Sequence, residues 1–239
     1  MKKLWLLSIL AIVVVSAVYC LWMFRSGRIL EEAEGARIEK PESLAYLPIT
    51  ELRKSGSALI SRLESPMVID GYPCDANWIH FAETGQLRAF FLSDACLIQG
   101  NRIPKGTWVQ LYPDLSIRFC SFPEDTIIQG YLCDGGSGGA KGVTASFYPS
   151  GRLKGFYPPR DVEIKGIPCR ASPINGISVY ENGNLEGFTL SRNTIIGGRA
   201  LSSGQRVVLN EQGDIKSVTN PPIYERPLGW ITRFFPGSG

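Results

Sequence analysis

VYENGNLEGFTLSRNTIIGG, running from Val179 to Gly198, decides how this chain folds, because its pattern returns along most of the sequence. After the apolar Val179 come a turn residue at Gly183, an apolar residue at Leu185 and an apolar pair at Ile195 and Ile196. The same frame reads Leu52, Gly56, Ala58 and Val68–Ile69, then Phe81, Gly85, Leu87 and Leu97–Ile98. It reads Leu111, Leu115, Ile117 and Ile127–Ile128, then Phe147, Gly151, Leu153 and Ile164, with a partial last copy at Leu209, Gly213 and Ile215. In every full copy the first apolar residue and the closing Ile lie 17 positions apart. A fixed internal period is the signature of a repeat architecture, in which neighbouring units cover one another's apolar faces.

Each copy reads as strand, turn, strand, turn, strand. Ser178-Val179-Tyr180 runs into Glu181-Asn182-Gly183, and Asn-Gly is the strongest short hairpin signal. The recurring Gly points to a turn residue at positive φ, which costs a residue bearing Cβ about 1 kcal/mol or more. Leu115 replaces that Gly in one copy, so its turn is expected to be looser or of another type. A second apolar position follows 11 residues past the start, at Leu63, Leu92, Phe122, Pro158 and Leu190. Pro158 is the exception, with Tyr157 expected to fill the space. The closing Ile leads into another Gly, at Gly71, Gly100, Gly130, Gly166 and Gly198.

From each of these Gly residues to the next copy the chain covers 10, 11, 17, 13 and 11 positions. Only this connection varies, and inserts confined to one face of a stack are where binding surfaces are built. The expected class is all-β: hairpin repeats of about 30 residues stacked into an extended or solenoid-like antiparallel sheet, with an N-terminal transmembrane helix. The segments YENGNLEG (Tyr180–Gly187) and FYPSGRLKG (Phe147–Gly155) resemble the hairpin motif of MORN-type repeats, with an aromatic, a Gly and a Leu around a turn. The resemblance covers about eight residues per unit, from about Leu52 to Ile215. It implies a stacked-hairpin sheet and a role in protein or membrane-associated assembly. The units here are longer than that family's, and its Gly-Trp signature is missing.

Four segments follow: an anchor over 1–28, a stalk over 29–50, the repeat domain over 51–219 and a tail over 220–239. Leu4 to Phe24 is 21 residues without a charge behind Lys2 and Lys3, and about 20 apolar residues span a bilayer as a helix. A signal peptide has a shorter apolar core of roughly 7–15 residues. Although Ser16-Ala17 imitates a cleavage site, the run continues through Trp22 to Phe24, which favours an uncleaved single-pass anchor. Cys20 lacks the small residue before it that a lipidation site carries. The short basic tail resembles an export signal and places the repeats in the periplasm or outside the cell. In the tail, Pro221, Pro222 and Pro227 give an extended chain, and Trp230, Ile231, Phe234 and Phe235 an apolar knot suited to capping the last unit.

Lys2, Lys3, Arg25 and Arg28 flank the anchor; without them 21 basic residues face 22 acidic ones. That balance offers no basic face to neutralise phosphates, so nucleic acid is set aside as a partner. Cys74, Cys133 and Cys169 share a slot with Ile103 and Leu201, and Cys120 one with Phe90, Phe156 and Phe188. Slots that accept Cys, Ile, Leu or Phe belong to the core. No Cys/His spacing suits a metal, and no cofactor motif is present. An exported array would put these cysteines where disulfides form, and no pairing is assigned.

Gly135-Gly136-Ser137-Gly138-Gly139 fits G-x-S-x-G and, with Cys133, resembles the nucleophile loop of trypsin-like serine proteases. That resemblance implies a serine hydrolase with Ser137 as nucleophile and His80, the one His in the chain, as base. Gly136 stands where that family has Asp, and a nucleophile elbow requires a strand-to-helix turn. The leading reading therefore has no catalytic residue. Trp78 and Trp108 are the binding candidates: facing outward they form an aromatic platform for a sugar or peptide, and facing inward, the commoner fate, they are core. The function expected is a membrane-anchored, non-enzymatic repeat protein presenting a protein- or ligand-binding face, with a carbohydrate-binding module as the alternative.

Overall fold

The computed structural model describes residues 36–135 and 142–220. Apart from one 3-10 turn at Glu42–Leu44, every element in them is a strand. After β1 (Ala36–Arg37) the chain repeats one plan of a long hairpin followed by a short one. The first unit is β2 (Arg53–Ser55) and β3 (Ala58–Arg62), then β4 (Met67–Ile69) and β5 (Tyr72–Cys74). The second is β6 (Trp78–Ala82) and β7 (Leu87–Phe91), then β8 (Cys96–Ile98) and β9 (Asn101–Ile103). The third is β10 (Trp108–Leu111) and β11 (Ile117–Ser121), then β12 (Thr126–Ile128) and β13 (Tyr131–Cys133). The fourth is β14 (Ala145–Phe147) and β15 (Leu153–Phe156), then β16 (Val162–Ile164) and β17 (Ile167–Cys169). The fifth is β18 (Ile177–Val179) and β19 (Leu185–Thr189), then β20 (Thr194–Ile196) and β21 (Arg199–Leu201). A last long hairpin, β22 (Arg206–Leu209) and β23 (Ile215–Thr219), ends the described chain.

The long hairpins join into one antiparallel sheet of 13 strands, in the order β1-β2-β3-β6-β7-β10-β11-β14-β15-β18-β19-β22-β23. The short hairpins stay out of it as separate two-stranded sheets. Along strands such as β6, β10, β18 and β22 buried residues alternate with less buried ones, so one face of the sheet is buried. Ile79 and Phe81, Val109 and Leu111, Ile177 and Val179, and Val207 and Leu209 all point into it. Each short hairpin contributes one buried residue from either strand: Ile69 and Cys74, Ile98 and Ile103, Ile128 and Cys133, Ile164 and Cys169, Ile196 and Leu201. These pack with the long-strand residues into one continuous core. Burying each such side chain contributes roughly 1.5–3 kcal/mol.

The second hairpin of each unit is more than the sequence suggested. After the closing Ile, the next residue and the Gly form a two-residue loop in which both have positive φ, as in Gln99–Gly100 and Gln129–Gly130. That is the twist-matched loop of tight hairpins. Gly183 instead closes a three-residue turn, donating to Tyr180 O at 2.8 Å, while Tyr180 N donates to Asn184 O at 2.8 Å. Leu115 keeps that same turn and is not looser: its N donates to Tyr112 O at 3.1 Å, and it sits at φ 66° in the left-handed region. Its side chain packs on the core, and its carbonyl accepts the Tyr72 hydroxyl at 2.8 Å.

Three further readings change. Leu44, Leu47 and Ile49 are buried in the core, so the packed chain begins within the segment assigned to the stalk. Pro158 is itself buried and needs no help from Tyr157. The five described cysteines, Cys74, Cys96, Cys120, Cys133 and Cys169, carry free thiols. Burial pushes the Cys74, Cys133 and Cys169 thiols up to about 12, which keeps them protonated and unreactive at neutral pH. The apolar run Leu4–Phe24 and the tail aromatics lie outside the described residues. Among the described residues no helix is long and apolar enough to cross a membrane.

Gly151 and Gly183 hold the same turn position at φ 82° and 80°, but a Cβ at Gly151 would lie 2.6 Å from Gln99 Cβ, whereas one at Gly183 meets nothing within 4 Å. Gly183→Ala should therefore cost about 1–2 kcal/mol from backbone strain alone, and Gly151→Ala clearly more. Chemical denaturation of the two variants checks the ordering; equal losses would contradict it.

Candidate functional site

The short hairpins pack on one face of the large sheet, and no other described element covers the opposite face. Register places one row of cross-strand neighbours across that open face. It runs from Arg53 through Ile60, His80, Ala89, Gln110 and Phe119, and on through Ser146, Gly155, Ser178, Gly187, Val208 and Ser217. Its two halves differ in chemistry. The first is aromatic and cationic at its margins; the second is floored by Ser and Gly.

In the aromatic half, Trp78 alternates with the core residues Ile79 and Phe81, so its ring faces away from the core. Trp108 alternates with Val109 and Leu111 in the same way. Both are half-buried, and the inward alternative does not hold for either. Phe91 is the direct cross-strand partner of Trp108. It lies two residues beyond Ala89, and Trp78 two before His80, on the antiparallel pair in which His80 faces Ala89. Trp78, Phe91 and Trp108 thus stand in line on three successive strands about 4.8 Å apart. Arg62 is paired with Trp78, and Ser121 with Trp108.

Every long hairpin from β6 onward carries a bulge beside this row, and the extra residues are Arg88, Arg118, Lys154, Glu186 and Lys216. Arg118 lies 4.9 Å from the Phe119 ring centre and 5.5 Å from that of Tyr112, and Lys154 lies 5.3 Å from that of Tyr148. Cations held over rings in this way gain quadrupole attraction. Arg88 Nη1 is buried without a hydrogen-bond partner.

In the second half a cavity of about 290 Å³ opens over Ser146, Gly155 and Ser178, with Tyr157, Ile174, Asn175, Gly176 and Arg206 around it. Val143 and Ile174–Gly176 come from the 17- and 13-residue connections, the two longest between copies. Tyr157, expected in the core, instead lines this cavity.

Of the residues singled out in the sequence, Trp78 and His80 share β6 and Trp108 stands on β10, with β7 between them, whereas Ser137 lies outside the described residues. Asp125 and Asp161 accept from Gly135 N and Ala171 N, each ten residues further on, at 3.0 and 2.8 Å, and Asn193 accepts from Ser203 N at 2.9 Å. Among the described residues no group of three His, Cys, Asp or Glu side chains could hold a metal ion. Phe91 and Arg206 were missed, although the spacing that finds Trp108 also finds Phe91 once the strand pairing is known. Compared with family models, curated proteins and solved structures, the chain finds no match.

Burial among its neighbours holds His80 below its ordinary value of 6.5. The unfolded chain therefore takes up a proton that the folded chain resists, so stability drops as pH falls below about 6.5 and is restored above it. The single imidazole should titrate below 6.5 by NMR, and His80→Gln should shallow the loss of stability below that pH. A midpoint at or above 6.5 would contradict the burial.

Proposed function

We propose that this chain is a non-enzymatic repeat protein, tethered to a membrane by Leu4–Phe24, that displays the open face of its sheet outside the cytoplasm to a protein partner. The observation carrying the proposal is the line of Trp78, Phe91 and Trp108 on a face that no other described element covers. Large aromatic side chains with an adjoining Arg are the residue types that dominate binding energy at protein interfaces. Half-buried rings held on strands lose little side-chain freedom on binding, which favours affinity. The resemblance to MORN-type hairpins, with their role in assembly, agrees with this reading.

A glycan is the second reading, since the same rings offer flat apolar faces to a sugar. The two differ in what the platform captures. Full-length protein in nanodiscs, presented to a glycan array and to cross-linked membrane extract, should yield a protein adduct with the wild type. Trp78→Ala with Trp108→Ala should lower its yield by at least about tenfold, the loss of one to two strong anchors. Array binding that vanishes in the double variant would establish the glycan reading. Capture by neither route, or capture indifferent to both Trp residues, would overturn the platform.

A further inference from the structure

The second half of the open face has a chemistry of its own. Arg206 rises from β22 opposite Thr189, and its guanidinium lies over the backbone of Gly187, where a Cβ would come within 3.1 Å of Nη2. Among the described residues its guanidinium makes one hydrogen bond, from Nη1 to Gly176 O at 2.9 Å. Among the described residues no carboxylate lies within ion-pair distance of it; the ion pairs there involve Arg37, Arg53, Lys54 and Arg192. Burial lowers its basicity while Tyr157 and Glu186 act the other way. Beside it, Thr189 Oγ1 is buried with no partner. Glu186 acts on it only from beyond ion-pair distance, so the half-buried guanidinium keeps donors that an anion can meet directly.

The cavity next to this cation is shaped to admit a body. Glycines keep its floor and one wall low: a Cβ at Gly155 would lie 3.1 Å from Ser146 Oγ, and one at Gly176 3.2 Å from the Tyr157 ring. Ser146 Oγ and Ser178 Oγ donate to Gly155 O and Gly187 O at 3.3 and 3.5 Å, so the floor's hydroxyls are already engaged. The Tyr157 ring and Ile174 supply apolar walls. The volume is at the small end for ligand sites. The geometry points to a binding site for a small carboxylate with a flat apolar body, its carboxylate on Arg206 and its body against Tyr157 and Ile174. This site goes beyond the aromatic platform and stands on different strands, so either can fail alone.

Benzoate and its neutral counterpart benzamide probe it. Ligand-observed NMR titrations of the full-length chain in nanodiscs, with empty nanodiscs subtracted, should show saturable benzoate binding at least about tenfold tighter than benzamide, as a charge-assisted bond requires. Arg206→Gln should weaken benzoate by a similar factor, and Gly155→Val, which fills the floor and leaves the cation, should also weaken it. Trp78→Ala with Trp108→Ala should leave benzoate binding unchanged. Non-saturable binding, equal binding of acid and amide by the wild type, or full binding by folded Arg206→Gln would overturn the site. The acid–amide comparison needs no variant and holds even if a substitution impairs folding.

Discussion

One contact sets the register of the first units of the array: a side chain from the loop of each of the first three short hairpins reaches the second strand of the long hairpin in the next unit. Asp70 Oδ2 accepts from Leu87 N at 3.1 Å, Gln99 Oε1 from Ile117 N at 2.9 Å, and Gln129 Oε1 from Leu153 N at 3.2 Å. The residue making it stands at positive φ in every case, a conformation that costs about 1 kcal/mol or more without glycine. The bond and the packing beneath offset that cost. Further along, Lys165 cannot accept and instead donates to Gly183 O and Asn184 Oδ1 at 3.2 and 2.8 Å. A second set of bonds runs the same way: the hydroxyls of Tyr112, Tyr148 and Tyr180 donate to Phe147 O, Val179 O and Leu209 O at 3.0, 3.2 and 2.9 Å. Each unit is thus tied to the next at a fixed phase, as a linear array needs for stability shared between neighbours.

Because the clasping hairpins all sit on the core side, no described element covers the opposite face, and antiparallel sheets commonly have one face packed on the core and one solvated. Selection on that face is free of core packing, which is how Trp78, Phe91 and Trp108 stand at one end and Ser146, Gly155, Ser178 and Gly187 at the other on the same scaffold. The short-hairpin layer has an outer side too. Val68, Leu97, Ile127 and Ile195 occupy one position of successive units there and are 66–73% exposed, with Glu163 in the same position of the fourth unit.

The frame of the fold was legible because the sheet's buried face imposes it: Phe81, Leu111, Phe147 and Val179 recur where a core row requires them, and all are buried. The apolar doublet was legible only in part. Its second member is core and its first, as in Leu97–Ile98, is exposed, a distinction that depends on a second layer invisible to periodicity. Leu115 misled because core contact and the Tyr72 bond offset a strain that sequence can only price in isolation. The variable length of the connections was readable, and residues of the two longest wall the cavity. Arg206 was not readable, because its partner Gly176 and its neighbour Gly187 meet it only through the pairings of β18 with β19 and of β19 with β22.

Two adjacent residues report most directly on whether one face of the sheet is sealed and the other open. Phe90 is 1% exposed in the core, and Phe91 is turned to the other side. Hydroxyl-radical footprinting of the full-length chain, with fragmentation spectra that separate these two rings, should show oxidation at Phe91, Trp78 and Trp108 and protection at Phe90, Phe81 and Phe147. Equal protection of Phe90 and Phe91, or oxidation of Phe81 and Phe147 at the rate of the two Trp residues, would contradict a single-sided core.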